Sequence, residues 1–252
     1  MFSAVTGYDR FMGRFAVPLA PVFADFAGIG PGQRVLDVGC GPGALLGELA
    51  RRLGEASAAG VEPSDAFAAA ARARLPAAEV KTGTAEELPF PDDSFDAALA
   101  QLVVHFMSDP VAGLGEMARV TRSGGTVAAC VWDHAGGTGP LELFWSAARE
   151  SGPDVADESG RAGTRQGDLG ELLVTAGLAD VEETALTVAV GYSGFDEWWE
   201  MFTLGVAPAG VHVAHLAAED REALRLRCAE KFARLGSSVI TGTAWAARGR
   251  VA

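Results

Sequence analysis

The sequence predicts an α/β fold: a doubly wound sheet, mostly parallel with an antiparallel last strand, plus helical cap insertions. Three observations lead to it. Short apolar runs alternate with amphipathic helical patterns through residues 35–132. The first run ends in a glycine cluster, Gly39, Gly41 and Gly43, and the second ends in an acid, Glu62. Strands that alternate with helices are joined by crossovers, which give a parallel sheet covered on both faces.

In order along the chain, an amphipathic stretch at 8–26 reads as helical and is broken by Pro18 and Pro21. Residues 35–38 form the first strand and 45–53 the first crossover helix. Residues 58–61 and 64–75 repeat the pattern, with Ser64 as the helix N-cap. Strands follow at 79–81, 95–103 and 126–132, with a helix at 111–120. The tail adds strands at 180–190 and 238–248. Helical patterns at 141–150, 195–204 and 219–235 form candidate caps over the carboxyl edge of the sheet, where open α/β sheets bind ligands. The Gly/Ser/Asp-rich piece 152–167 reads as a mobile loop. The whole is one domain, 1–252, with an N-terminal helical segment (1–30) and a nucleotide-binding core (31–135). Caps at 136–167 and 191–237 flank the last helix and strands, at 168–190 and 238–252.

Composition narrows the function. The chain of 252 residues carries a net charge of −13, which repels phosphate backbones and argues against nucleic acid as the main partner. No apolar run is long enough to span a bilayer and no leader pattern opens the chain, so no membrane partner and a cytoplasmic location are expected. Three scattered cysteines, Cys40, Cys130 and Cys228, form neither a disulfide framework nor a zinc motif. A homodimer is compatible with all of this. No metal is expected: His212 and His215 stand in a connecting stretch without acids at ligand spacing.

The segment Asp37-Val38-Gly39-Cys40-Gly41-Pro42-Gly43 sits at a strand-to-helix turn. Its glycines permit positive φ and a close approach of backbone to ligand. Gly39, Gly41 and Ala44 also satisfy the dinucleotide fingerprint, so the glycines alone do not choose a nucleotide. Asp37 does favour one class. A carboxylate there repels a pyrophosphate on the helix N-terminus but attracts a ligand bearing an ammonium and a sulfonium. Glu62, 23 positions after Gly39, is placed to accept ribose hydroxyls in either class.

Four ordered motifs resemble those of the class I S-adenosylmethionine-dependent methyltransferases. Val35-Leu36-Asp37-Val38-Gly39-Cys40-Gly41-Pro42-Gly43 resembles their first motif and Gly60-Val61-Glu62-Pro63-Ser64 their acidic second motif. The segment 83–96, from Gly83-Thr84-Ala85-Glu86 to Ser94-Phe95-Asp96, is similar to the adenine-side loop and fourth strand of the small-molecule group that includes the ubiquinone/menaquinone C-methyltransferases. Residues 116–125 resemble the helix and turn before the fifth strand, and Tyr8-Asp9-Arg10-Phe11-Met12-Gly13-Arg14 an N-terminal segment of that group. The likeness covers residues 7–132. It departs at Thr84, where the family commonly has Asp, and at Arg122-Ser123, where it has Lys-Pro.

The resemblance implies a Rossmann-like fold, S-adenosylmethionine as cofactor and a set of contacts. Asp37, Gly39, Gly41 and Gly43 would hold the methionine portion, Glu62 the ribose, and Pro63, Thr84, Ala85 and Glu86 the adenine. Gln101 and Leu102 would lie near the sulfonium, and Tyr8 and Arg14 would reach the methionine carboxylate. After the fourth strand Gln101-Leu102-Val103-Val104 lacks the [DN]-P-P-[YFW] pattern of amino-directed DNA methyltransferases, and no Pro-Cys pair offers a cytosine C5 nucleophile. A small organic acceptor is the expected partner. His105 is the candidate general base, against the alternative that it only fixes the loop. Phe11, His105, Trp132, Trp198, Trp199 and Phe202 are the candidate acceptor-site residues, although aromatic stripes at helical spacing commonly belong to a core. Adjacent Trp198 and Trp199 sit ~100° apart on a helix, so one could pack while the other lines a pocket. Two rival functions remain open at this point: a non-catalytic cofactor-binding protein and an NAD-dependent oxidoreductase.

Overall fold

Two helices open the chain, α1 (Ala4–Arg10) and α2 (Gly13–Phe26). The core follows as β1 (Val35–Val38), α3 (Ala44–Leu53), β2 (Ala58–Glu62), α4 (Asp65–Arg74) and β3 (Glu79–Thr82). It continues with β4 (Phe95–Gln101), α5 (Pro110–Val120), β5 (Thr121–Trp132), α6 (Glu142–Arg149) and α7 (Asp168–Thr175). The tail consists of β6 (Ala179–Gly191), α8 (Phe195–Glu200), α9 (Ala207–His215), α10 (Ala218–Arg234) and β7 (Val239–Arg250). This computed structural model describes residues 4–152, 155 and 157–252.

The seven strands form one sheet in the order β3-β2-β1-β4-β5-β7-β6. Strands β1 to β5 pair in parallel, and the last strand, β7, runs antiparallel between β5 and β6. Strand order reverses between β1 and β4, so a crevice opens at their carboxyl ends. Both strands are buried almost throughout, as expected for strands covered on both faces. One apolar layer, with Phe15, Leu19, Leu45 and Leu49, packs α2 and α3 on one face; the other, with Leu114, Met117, Leu169 and Leu173, packs α5 and α7 on the opposite face.

Three local expectations change. First, α2 runs through Pro18 and Pro21. Its buried stripe of Phe15, Ala16, Leu19, Ala20, Phe23 and Ala24 outweighs the lost backbone bonds, and Val17, whose carbonyl Pro21 leaves without its helical partner, lies on the exposed side. The real interruption is at Phe11–Met12. Second, a further helix, α9, lies between the two late helical patterns. Third, part of the piece read as a mobile loop (153, 154 and 156) lies outside the described residues, and its described remainder is anchored. Glu158 and Thr164 are buried, Asp157 pairs with Arg149, and the Thr164 hydroxyl donates to the carbonyls of Ser159 and Arg161. Ser64 does occupy the N-cap position of α4, but its side chain makes no capping bond.

The cap aromatics form a core of their own. Phe202 is fully buried and stacks on Phe144 at 4.3 Å. Phe11, in the turn between α1 and α2, and Trp198 meet it edge-on at 5.6 and 4.7 Å. Trp199 stacks on Phe195, and Trp132 meets Phe15 edge-on while its indole N–H points to the Met12 sulfur. The cap thereby grips the N-terminal helices, a grip extended by the ion pairs Arg10–Glu200 and Arg14–Glu197. Removing the Phe202 ring should cost about 3–5 kcal/mol of stability. Denaturant unfolding of Phe202→Ala tests this, with Val17→Ala at an exposed position expected within about 0.5 kcal/mol of the parent. A loss below about 1 kcal/mol for Phe202→Ala would show that the cluster is not core.

Candidate active site

The carboxyl ends of β1, β2 and β4 meet at the strand-order reversal, and the residues there are unusual for a protein interior. Asp37 is 1% exposed and Glu62 6%. Burying a carboxylate is costly unless something compensates it. Glu62 is compensated by backbone: Gly41 N–H and Ser64 N–H each donate to it at 2.9 Å. Burial still raises its pKa against those bonds. Asp37 receives the Leu46 N–H from the first turn of α3, yet its Oδ2 has no hydrogen-bond partner among the described residues. Burial, with the Glu62 charge adding to it, pushes Asp37 up to about 8.

The glycine loop lies over these acids. Gly39, Gly41 and Gly43 all have positive φ, at 71°, 53° and 102°. Gly39 and Cys40 donate to the Val61 carbonyl, which locks the loop to β2. A Cβ on Gly39 would sit 2.6 Å from a Val103 methyl, whereas one on Gly41 would meet nothing within 4 Å. Gly39 is thus required by packing and Gly41 faces open space. Tyr8 reaches the same place from α1, its ring 5.4 Å from that of Phe67. Burial and the charges of Glu62 and Asp37 push its phenol up to about 12. Arg74 fastens α1 to the loop by pairing with Asp9 and donating to the Pro42 carbonyl at 2.9 Å.

At the end of β4, Gln101 is 8% exposed; its amide nitrogen donates to Ala16 O at 3.0 Å and its Oε1 is unpartnered among the described residues. Leu102 adopts φ 63°, a strained conformation for a branched residue, of the kind that persists where surrounding structure over-determines it. His105 follows in the 3-10 turn Val104–Phe106; it is buried, and its Nδ1 too is unpartnered among the described residues.

Several expected site residues are placed elsewhere. Arg14 does not turn to the glycine loop: it pairs with Glu197 and lies over the Tyr192 ring, drawn there by charge. On the adenine side, Thr84 is exposed and Pro63 stands at the rim. Ala85 packs under α5 beside Gly113, and the Glu86 carboxylate accepts from Ser108 and Asp109 N–H, so neither side chain is free to line a ligand. Burial drives the His105 pKa down to about 3, which makes it a weak general base at neutral pH. Phe11, Trp132, Trp198, Trp199 and Phe202 are core residues here, because each finds aromatic or sulfur neighbours that exclude water. Val103, Arg74 and the grouping of His105 with His134 and Glu158 carry no signal in a single sequence.

A methyltransferase domain family model matches residues 36–129. The whole chain has a Rossmann-like fold, similar to that of solved methyltransferases. An uncharacterized methyltransferase of Mycobacterium tuberculosis is 38% identical over 131 residues, which covers 52% of this chain and 51% of that protein. The chain spans about half or less of the length of the curated relatives it matches. A putative methyltransferase from an antibiotic biosynthesis pathway of Anabaena variabilis superposes with TM-score 0.64 at 21% identity, covering 92% of this chain and 96% of that one. A phosphoethanolamine N-methyltransferase of Haemonchus contortus, solved with S-adenosyl-L-methionine, gives TM-score 0.57 at 16% identity over 100% of this chain and 61% of that one.

The two loop glycines separate by variant. Alanine at either must accept left-handed backbone, a cost of roughly 1–2 kcal/mol. Gly39→Ala must also displace Val103, so thermal unfolding should show it markedly less stable than Gly41→Ala. Equal stabilities would contradict the packing described.

Proposed function

We propose that this chain transfers a methyl group from S-adenosylmethionine to a small organic acceptor. One observation carries the reading: the buried acids Asp37 and Glu62 lie beneath an open glycine loop at the strand-order reversal. Their chemistry fits this donor. Glu62 can accept two ribose hydroxyls on the lone pairs its backbone donors leave free. Asp37 Oδ2 and Gln101 Oε1, both buried acceptors without a donor, suit an ammonium. A cation draws out the Asp37 charge whereas a pyrophosphate opposes its ionisation, which disfavours a nicotinamide cofactor.

When bound, S-adenosylmethionine supplies a sulfonium-activated methyl group. The residues of the chain then have to orient rather than activate. The glycine loop and Tyr8 hold one side of the site, and Gln101 and Leu102 fix the other. The small-molecule group that includes the ubiquinone/menaquinone C-methyltransferases remains the subgroup that the motifs resemble, and the acidic surface favours a small acceptor over nucleic acid. No general base is assigned, and alignment is the main source of rate.

Calorimetry with S-adenosylhomocysteine in EDTA should give a saturable isotherm. Glu62→Ala should weaken it by about 1.5–3 kcal/mol per charged hydrogen bond lost. No binding by the parent, or parental affinity in a folded Glu62→Ala variant, would refute the reading. Turnover is tested with labelled donor and a metabolite extract; donor binding without label transfer would leave a cofactor-binding protein instead.

Asp37 adds a pH dependence. Its folded pKa, about 8, lies above the unfolded value of about 3.9. The stability it contributes is present below about pH 4 and is lost as pH rises through about 8. A bound ammonium favours the ionised form, so donor affinity should rise with pH between about 5.5 and 7.5, by up to about tenfold per unit. Asp37→Asn should flatten that slope, leaving only the part due to Glu62. A flat profile in the parent would contradict this.

A further inference from the structure

On the acceptor side of the sheet edge, three metal-ligating side chains converge that the donor site does not use. His105 stands in the turn after β4, His134 two positions after β5, and Glu158 in the segment between α6 and α7. They are 29 and 24 positions apart in sequence. Parallel pairing of β4 with β5 puts the two histidines at neighbouring strand ends, ring centroids 6.1 Å apart. Glu158 faces both: one oxygen lies 3.8 Å from His105 Nε2 and the other 4.0 Å from His134 Nε2. All three side chains are nearly closed to solvent, 3%, 6% and 5% exposed.

The separations decide between two kinds of cluster. A hydrogen-bonded His–Glu–His network would bring a nitrogen and an oxygen to about 2.7–3.2 Å. Neither pair is that close, and the His105 Nδ1 has no partner either among the described residues. One ligand atom from each residue nevertheless lies within 4.8 Å of the other two. Ligands sharing a tetrahedral zinc, with bonds of about 2.0–2.1 Å, stand about 3.3–3.4 Å apart. The Glu158–histidine separations exceed that by about half an ångström and the three-atom set by at most about 1.4 Å, a closure that rotations of the two imidazoles and of Glu158, on a connecting segment rather than in the sheet, can supply together.

From this convergence we propose that His105, His134 and Glu158 form a binding site for a divalent transition metal, with zinc as the favoured ion. Two imidazoles and a carboxylate are a borderline-soft nitrogen–oxygen set that suits zinc over calcium or magnesium. Three protein ligands leave a coordination position for water. Asp133, the adjacent acid, is not a fourth ligand, since its carboxylate holds Gly136 N–H and the Thr138 hydroxyl at 2.8 and 2.6 Å. Arg161 opposes a cation here, but its guanidinium is engaged, donating to His105 O at 3.3 Å and lying 5.1 Å over the Phe106 ring. A bound ion fastens the Glu158 segment across the carboxyl ends of β4 and β5. The inference is independent of methyl transfer, because none of its ligands belongs to the donor site.

The test uses the full chain stripped with chelator, then titrated with cobalt and zinc. We expect one cobalt per chain, with visible d–d absorption that zinc displaces, and a zinc-dependent rise in Tm. Glu158→Gln, which keeps shape and removes the charge, should weaken zinc by at least about 100-fold, as should His134→Ala. Circular dichroism confirms that each variant is folded; should His134→Ala unfold, Glu158→Gln and the parent carry the test. No cobalt spectrum at sub-millimolar metal in the folded parent would overturn the proposal. So would zinc affinity unchanged in Glu158→Gln. S-adenosylhomocysteine binding in EDTA, retained by Glu158→Gln, keeps this outcome distinct from failure of the donor site.

Discussion

The rest of the structure is organised around two carboxyl groups that have been taken out of water. Asp37 and Glu62 end neighbouring parallel strands, and the sheet order reverses beside them. Each must be compensated. Glu62 is held by two backbone N–H groups of the glycine loop and the α4 entry. Asp37 is only partly compensated, by the amino end of α3, and burial raises its pKa accordingly. A site that stays under-compensated in the unliganded chain has affinity in reserve for a cation. The loop glycines, the left-handed Leu102 and the half-satisfied Gln101 all lie around that deficit.

The helical additions act on the same place from outside. The Phe144–Phe202 stack and its neighbours bind the cap to α2, and Arg74 ties α1 to the glycine loop. Tyr8 is thereby held beside the two acids. Aromatic residues that look in sequence like an acceptor pocket serve instead to position the N-terminal helices. Their effect on the two acids is indirect, through the placing of α1.

Much of this was legible in the sequence because it rests on local signals. The strand–helix alternation, the glycine cluster after β1 and the acid at the end of β2 are short-range patterns, and they located the sheet and the two buried acids. What escaped depends on distant neighbours. Pro18 and Pro21 reasonably signal a break, yet burial of Phe15, Leu19 and Phe23 against α3 keeps α2 continuous. Arg14 has no local reason to choose Glu197, 183 residues away. Ala85 and Glu86 sit in a motif whose sequence points to adenine, but their side chains are taken up by α5 and the Ser108–Asp109 turn. His105, His134 and Glu158 have no common motif at all; only the pairing of β4 with β5 brings the histidines together.

The central claim is that the acids beneath the glycine loop receive the donor. A crystal structure with S-adenosylhomocysteine tests it most directly. The account predicts both ribose hydroxyls on the Glu62 carboxylate and the ammonium within hydrogen-bond reach of Asp37 or Gln101. A ligand seated elsewhere, or one whose ribose turns away from Glu62, would contradict it.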